Sequence, residues 1–544
     1  MGAIIGNVHF LIKKASRSVA SQVQPGTDVF FHIWKKSLAY GNSLTLPKSR
    51  SYSPRELCKP AGTSTNKDVN VRHYQNFADN HFNDSARAPS IEVCNPATGD
   101  IVAAVDSASP EDADLAVQSA AAAQKKWRRM PAAERAKVLH RLADALVARA
   151  DSIGQALALE SGKSPQHARA EVQYAAEVTR YHAEWARRIT GELIPSDNVS
   201  ENLMLFREPI GVVVCLIPFN SPVYTLMRKV APALITGNTV VVRPSSYTPC
   251  SALEIARAVQ DANVPAGVIN IMAMSHVVAE QICTHPSVGM ITLTGSVGAG
   301  RKVLEYSQVN IAKVALELGG KTPAIIEPDA NLEQAAADIV RSKTTNCGQL
   351  CTAVERVYVH EEVAPKLIGL LRNRMRERQW GDRSRNHDWM GPLIHDNARL
   401  HIHQMVARAI DDGAVLECGG VIPEGKGFFY PPTLLTGCRQ EMEIVQEETF
   451  GPVLGVVTYR TLDEALEMAN DHQFGLASMI YSENHRTIMR VANEIEAGEC
   501  YVNRIPDDPY QGHHGGWKRS GIGGDDGQHG MLAFTQTRLV VVPY

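Results

Sequence analysis

The chain has 544 residues, 44% of them hydrophobic and 21% charged, an ordinary globular composition. Its 55 Lys and Arg against 58 Asp and Glu give a net charge of −3, so no basic bias argues for nucleic acid. No apolar run approaches the roughly eighteen residues of a membrane span, and at roughly 150 residues per domain the length suggests three or four lobes.

The first seventy residues differ in kind. Through Arg55 there are eight basic residues against one acid, Asp28. An acid-poor leader containing Ser and Arg has the composition of an organelle transit peptide, yet no clear amphipathic helix runs through it. Residues 1–69 are therefore expected to be a disordered extension, or upstream sequence without a structural role.

From about residue 107 the pattern turns helical. Ser109-Pro110-Glu111-Asp112 offers an N-cap serine, proline at the first helical position and acids in the first turn. Ala113–Trp127 and Ala132–Leu159 have helical apolar spacing and should each bury one face. Gly191–Pro209 reads as an extended ribbon. Then short apolar runs alternate with helices: Gly211–Ile217, Thr239–Arg243, Val268–Met272, Met290–Thr294 and Lys313–Leu318 are expected strands. Thr248-Pro249 should cap one intervening helix, and Gly298-Ala299-Gly300 should open another. A second set follows in Thr322–Ile326, Val357–His360, Val453–Tyr459 and Glu499–Val502, with helices over 331–343, 361–379 and 394–412. This rhythm predicts an α/β chain with two doubly wound, mostly parallel sheets, helices on both faces.

The ten cysteines are scattered without C-x-x-C spacing, which fits a reducing compartment and a cytoplasmic protein, with organelle targeting by the leader as the alternative. Cys347 and Cys351 stand four apart, but no second Cys/His pair completes a zinc site, so no metal is expected. Cys351 lies in Gly348-Gln349-Leu350-Cys351-Thr352-Ala353, and 34 positions earlier the chain reads Leu316-Glu317-Leu318-Gly319-Gly320-Lys321. A thiol attacks only as its thiolate, and its usual pKa of about 8.5 leaves little thiolate at neutral pH. A carboxylate beside it could take that proton and later activate water against a thioester. Alone, Cys351 would be as well explained by a buried, inert thiol.

Five further motifs change that balance: Pro218-Phe219-Asn220-Ser221-Pro222, then Lys229-Val230-Ala231-Pro232-Ala233-Leu234 leading to Gly237-Asn238-Thr239, then Thr294-Gly295-Ser296-Val297-Gly298-Ala299-Gly300, Gln446-Glu447-Glu448-Thr449-Phe450-Gly451-Pro452, and Lys518-Arg519-Ser520-Gly521-Ile522-Gly523. In this order, from about Tyr74 to the C-terminus, the chain resembles the aldehyde dehydrogenase superfamily. Glu184-Trp185-Ala186-Arg187-Arg188 and Gln511-Gly512-His513-His514-Gly515-Gly516-Trp517 are most similar to the bacterial lactaldehyde and glycolaldehyde branch.

The resemblance implies NAD(P)-dependent oxidation of an aldehyde to a carboxylic acid. Cys351 would attack, Asn220 and the Cys351 backbone N–H would hold the oxyanion, and Glu317 would activate the hydrolytic water. Glu317 further favours hydrolysis over acyl transfer to coenzyme A. Cofactor contacts carry over to Lys229, Arg243, Ser246, Gly295, Ser296, Glu448 and Phe450, and polar-substrate contacts to Arg228, Asp508 and His514. It also implies a nicotinamide-binding domain over 70–190 and 210–316, a catalytic domain over 317–510, and oligomerisation elements over 191–209 and 511–544, hence a homodimer or homotetramer. Exposed strand edges such as the tail Leu539–Val542 seek partners.

Departures bear on the cofactor. Where the family reads Lys-Pro-Ser-Glu, this chain reads Arg243-Pro244-Ser245-Ser246. The glutamate that repels a 2′-phosphate is gone and Arg243 offers a charged fork, so NADP is expected to be accepted, with Tyr247 as a crowding neighbour. Phe219 and Ser221 replace the usual aromatic residues around Asn220. The competing readings are semialdehyde or aromatic-aldehyde specificity, a redox-free thiol esterase using Cys351 and Glu317, Glu317 as a strand-end carboxylate held by Lys321, and a non-catalytic scaffold. A cysteine peptidase is disfavoured, since none of the nineteen histidines sits in a recognisable context for one.

Overall fold

The computed structural model describes residues 71–83 and 90–544, so the expectation for residues 1–69 lies outside the described residues. Two open sheets dominate. In the first, five parallel strands run in the spatial order Lys313–Glu317, Val288–Thr294, Val212–Leu216, Thr239–Arg243 and Ile269–Ile271. Antiparallel Gly521–Ile522 borders one side, and the hairpin Phe77–Ala78/His81–Phe82 borders the other. Every side chain of Val212–Leu216 is buried, as expected of a strand covered on both faces. Full burial of such side chains contributes about 1.5–3 kcal/mol each.

The chain leaves Val212–Leu216 toward Thr239–Arg243 on one side and later returns to Val288–Thr294 on the other. The strand order therefore reverses between Val212–Leu216 and Val288–Thr294, and a crevice opens beyond their C-terminal ends. Ligands of doubly wound sheets bind at such a switch point.

The second sheet has seven strands in the order Val415–Cys418, Thr433–Thr436, Val453–Tyr459, Val354–His360, Thr322–Ile326, Ala477–Tyr481 and Glu499–Val502. All neighbours are parallel except the first pair. Only Leu318–Lys321 separates the last parallel strand of the first sheet from Thr322–Ile326 of the second. Glu317 thus ends one sheet, while Cys351 lies just ahead of Val354–His360 in the other.

A small antiparallel sheet joins Glu192–Ile194, Glu201–Pro209 and Thr535–Pro543, the last pair in unbroken register from Thr535↔Pro209 to Pro543↔Glu201. The span 511–544 was expected to act as one oligomerisation element. Its Gly521–Ile522 instead pairs with Leu316 and Glu317 in the first sheet, and only Thr535–Pro543 reaches the small one.

Several local expectations are refined. Ser109 and Asp112 form a reciprocal capping box at Pro110–Trp127. The run 132–159 is two helices, Ala132–Ala148 and Ala150–Ser161, broken where Arg149 leaves helical geometry and its guanidinium pairs with Asp261. Thr248 precedes the helix Pro249–Asp261 but its hydroxyl makes no cap. Instead the buried Glu160 carboxylate accepts the Cys250 and Ser251 N–H groups at 2.7 and 3.0 Å. The helices Pro165–Ala183 and Pro222–Ile235 were not distinguished in the sequence pattern.

Candidate active site

The Cys351 loop is set by backbone geometry. Asn346, Cys347 and Gly348 are all left-handed, with φ of 48°, 58° and 72°. Two of these are not glycine, so the conformation needs external support. Gln349 supplies it: its Oε1 accepts the Ile394 N–H at 2.9 Å, and its Nε2 donates to Asn346 O at 3.0 Å and Pro392 O at 3.3 Å. At Gly320 a Cβ would strike the Cys351 carbonyl oxygen, so the Gly319-Gly320 pair lets the loop beyond Glu317 approach the nucleophile.

A cavity of ≈ 730 Å³ opens at the switch point. Its wall comes from Leu216–Asn220 and Leu293–Ser296 at the strand ends, with Arg243, Ser245, Tyr247, Cys351, Glu448 and Phe450. The size suits a small-molecule or cofactor site. At one side Ser296 caps the helix Val297–Asn310, its Oγ accepting the Ala299 N–H at 3.2 Å. A helix start of this kind presents free N–H groups to an anion. At the Cys351 end, Asn220 Nδ2 donates to Gln349 O at 3.1 Å, and an amide has a second N–H to give.

Glu317 is buried, and neither carboxylate oxygen has a hydrogen-bond partner among the described residues. Burial pushes its pKa up to about 8, while the charge of His514 pulls against it. His514 Nε2 lies 3.8 Å from Glu317 Oε2, and its Nδ1 is 2.7 Å from Glu499 Oε1 and 4.0 Å from Asp508 Oδ1. Burial disfavours the imidazolium, but Asp508, Glu499 and a hydrogen bond with Cys351 hold it well above its ordinary pKa. For the thiol, burial raises the pKa, and the His514 hydrogen bond and charge are the leading opposing effects. Cys351 therefore does have a partnered histidine, which local sequence did not reveal. Glu499, Asp508 and His514 also have metal-ligand spacing, though Nδ1 of His514 already meets Glu499.

Behind this centre lie two buried ion pairs. Lys229 Nζ donates to Asp525 Oδ2 at 2.8 Å and Thr292 Oγ1 at 3.0 Å. Arg228 grips Asp526 through Nε at 2.8 Å and a second guanidinium nitrogen, and lies 4.8 Å above the Tyr224 ring. Lys321 does not hold Glu317; it pairs with Glu355 at 2.7 Å.

The sequence profile of the aldehyde dehydrogenase family matches residues 82–540. The chain belongs to this family. It is 43% identical over 452 residues to lactaldehyde dehydrogenase of Escherichia coli, covering 83% of this chain and 94% of that protein. It is 34% identical over 474 residues to a D-glyceraldehyde dehydrogenase (NADP(+)) of Picrophilus torridus, covering 86% and 96%. A solved structure of a lactaldehyde dehydrogenase superposes with a TM-score of 0.86 at 42% identity, covering 87% of this chain and all of the other. The protein is an NAD(P)-dependent aldehyde dehydrogenase.

Among the residues expected for this aldehyde dehydrogenase, the structure brings Cys351, Asn220, Arg243, Gly295, Ser296, Glu448 and Phe450 to one cavity. Cys351, Glu317 and His514 meet at its inner end. Two residues expected at the cofactor lie behind the residues that line the cavity. Lys229 is fully buried and committed to Asp525 and Thr292, outside the cavity wall. Ser246 also stands outside the wall, which takes the flanking Ser245 and Tyr247 instead. Arg228, expected to contact a polar substrate, is buried against Asp526. Sequence reasoning missed Glu499, Asp525 and Asp526; the only signal for the aspartates was their place directly after Gly521–Gly524.

Proposed function

We propose that this aldehyde dehydrogenase oxidises a small, hydroxyl-bearing aldehyde through a Cys351 thioester that Glu317-activated water hydrolyses. The observation that carries this reading is the convergence of Cys351, Glu317 and His514 in a buried centre at the end of the cavity. The proton shared by Cys351 and His514 lies on Nε2 when the sulfur attacks, with Glu499 holding Nδ1. As the C–S bond forms, the carbonyl electron pair moves to oxygen, where the free N–H of Asn220 and the Cys351 N–H donate to it. One such donor is worth about 3–4 kcal/mol in comparable sites. A nicotinamide held beside Cys351 would supply the hydride acceptor, and loss of hydride from the thiohemiacetal carbon would leave a thioester on Cys351. Glu317 takes a proton from water, which adds to the acyl carbon and releases the acid, while His514 stabilises the departing thiolate.

The residues fit a nicotinamide dinucleotide. Ser296 and the following helix start offer N–H groups to a pyrophosphate, and Glu448 and Phe450 line the path toward Cys351. NADP acceptance is supported by Arg243: it lies in the wall, its Nε has no partner, and no carboxylate pairs with it among the described residues. The name of the Picrophilus relative points the same way.

For the substrate, Arg228, Asp508 and His514 all act electrostatically on Cys351. Arg228 is already neutralised by Asp526, which favours a neutral hydroxyaldehyde over a carboxylate-bearing semialdehyde. The lactaldehyde and glyceraldehyde names of the relatives agree. Assembly into a homo-oligomer is supported by the small sheet, where Leu193, Phe206, Leu539 and Val541 are exposed. No described helix is long and apolar enough to cross a membrane. The cytoplasmic placement rests on the unpaired cysteine pattern alone.

The test is reduced-nicotinamide absorbance with glycolaldehyde, lactaldehyde, succinic semialdehyde and benzaldehyde, each with NAD and NADP. Highest kcat/KM with a hydroxyaldehyde supports the reading; preference for the semialdehyde or benzaldehyde overturns the substrate class.

A further inference from the structure

Glu355 is buried and accepts four hydrogen bonds, none of them from Cys351, Glu317 or His514. Its Oε1 takes Lys343 Nζ and the Phe450 N–H, each at 2.9 Å. Its Oε2 takes Lys321 Nζ at 2.7 Å and the Thr449 N–H at 2.8 Å. Both lysine side chains are fully buried. This carboxylate therefore accepts one bond from each of two ammonium groups and one from each of two consecutive backbone amides. These amides belong to the loop that carries Glu448 and Phe450 into the cofactor cavity.

That loop needs such a hold. Phe450 has φ of +46°, a left-handed conformation rare for a bulky side chain. Its ring meets Phe219 edge-on, with centroids 5.9 Å apart, so the loop position is passed on to the residue preceding Asn220. On the other side, Glu448 Oε1 accepts the Gly320 N–H at 2.9 Å, tying the loop to the segment after Glu317. Charge balance completes the arrangement. Lys321 and Lys343 bring two positive charges and Glu355 returns one negative, while burial and the Glu355 charge push the Glu448 pKa up to about 7 against the pull of both lysines. Glu355 stays ionised: burial opposes its charge, yet the two lysines bring its pKa down to about 2.

We propose that Glu355 is the positioning residue of the nicotinamide loop, fixing Glu448 and Phe450 through the Thr449 and Phe450 amides while Lys321 and Lys343 fix the carboxylate. This rests on the reading of Glu448 and Phe450 as cofactor contacts. The thiol chemistry of Cys351 and Glu317 has no bond to Glu355, so the two functions should separate on substitution.

The test uses the full chain as Glu355→Gln, Glu355→Asp and, in parallel, Glu448→Gln. Glu355→Asp keeps the charge beside the lysines but draws the carboxylate back from the amides by one methylene, so it serves where Glu355→Gln fails to fold. Two rates are read: dehydrogenase rate against nucleotide concentration, and nucleotide-free hydrolysis of p-nitrophenyl acetate by Cys351. A hydrogen bond to a charged group predicts a rise in nucleotide KM of about tenfold or more in the Glu355 variants, with ester hydrolysis within about twofold of the parent. Unchanged nucleotide KM in Glu355→Asp, or equal loss of both activities, overturns the proposal. If Glu448→Gln also leaves nucleotide KM unchanged, the assignment of the loop to the cofactor fails instead.

Discussion

Glu317 Oε2 and His514 Nε2 are 3.8 Å apart, both groups are buried, and the Cys351 thiol engages the same imidazole. The proposed hydrolytic base and the nucleophile are thus electrostatically linked through one histidine. Each can change protonation only against the other's charge.

A first consequence concerns pH. Because burial lifts Glu317 to about 8, the carboxyl is mostly protonated at neutral pH and cannot accept a proton from water. Thioester hydrolysis should therefore rise as pH passes upward through about 8 and level off above it. Steady-state kcat against pH checks this, in a variant series that includes Glu317→Gln. The variant should lose the ascending limb and retain about a hundredth or less of the rate, within the range for loss of a general base.

A second concerns His514. Replacing it with Gln removes the leading effect that opposes the burial-raised thiol pKa. Inactivation of Cys351 by iodoacetamide should then require higher pH, its midpoint moving up by about one unit or more, the usual size of an opposite-charge effect. Glu499→Gln should move it in the same direction by a smaller amount, since Glu499 only holds Nδ1. An unchanged inactivation profile in His514→Gln would remove the imidazole from the chemistry.

The cofactor argument rests on Arg243. Arg243→Gln should raise KM for NADP by about tenfold, as expected for one lost charged hydrogen bond, and leave KM for NAD nearly unchanged. Parallel titrations of both nucleotides on parent and variant decide it. A like change for both would mean Arg243 serves the shared part of the dinucleotide or the fold.

For assembly, Leu539→Glu with Val541→Glu places charge on the exposed tail strand, where 55% and 48% of these residues is accessible in the single chain. Light scattering should move from an oligomeric mass to the single-chain mass. A parent that already scatters as a single chain would refute the role given to the small sheet.

What the sequence made legible was what is locally encoded. Cys351, Glu317 and Asn220 stood out through the ordered series of motifs around them and not singly, and the apolar runs such as Val212–Leu216 read directly as buried strands. Pairings made across the chain were not legible. Arg228 meets Asp526 from 298 positions away and Lys229 meets Asp525 from 296, so neither could be seen as neutralised. His514, the partner of Cys351, lies 163 positions further along the chain, and Glu499 is recognisable only through its bond to that histidine. At the turn after Thr239–Arg243 the cavity is lined by Ser245 and Tyr247, the neighbours of Ser246.

The most direct test is to trap the acyl group. Glu317→Gln, mixed with lactaldehyde and NAD or NADP and quenched in acid, should release about one equivalent of reduced nucleotide per chain in a burst. Intact and peptide mass should place an added acyl group on Cys351. Continued turnover at the parent rate with no adduct, or an adduct on another residue, would contradict the account of Cys351 as nucleophile and Glu317 as the base that frees its product.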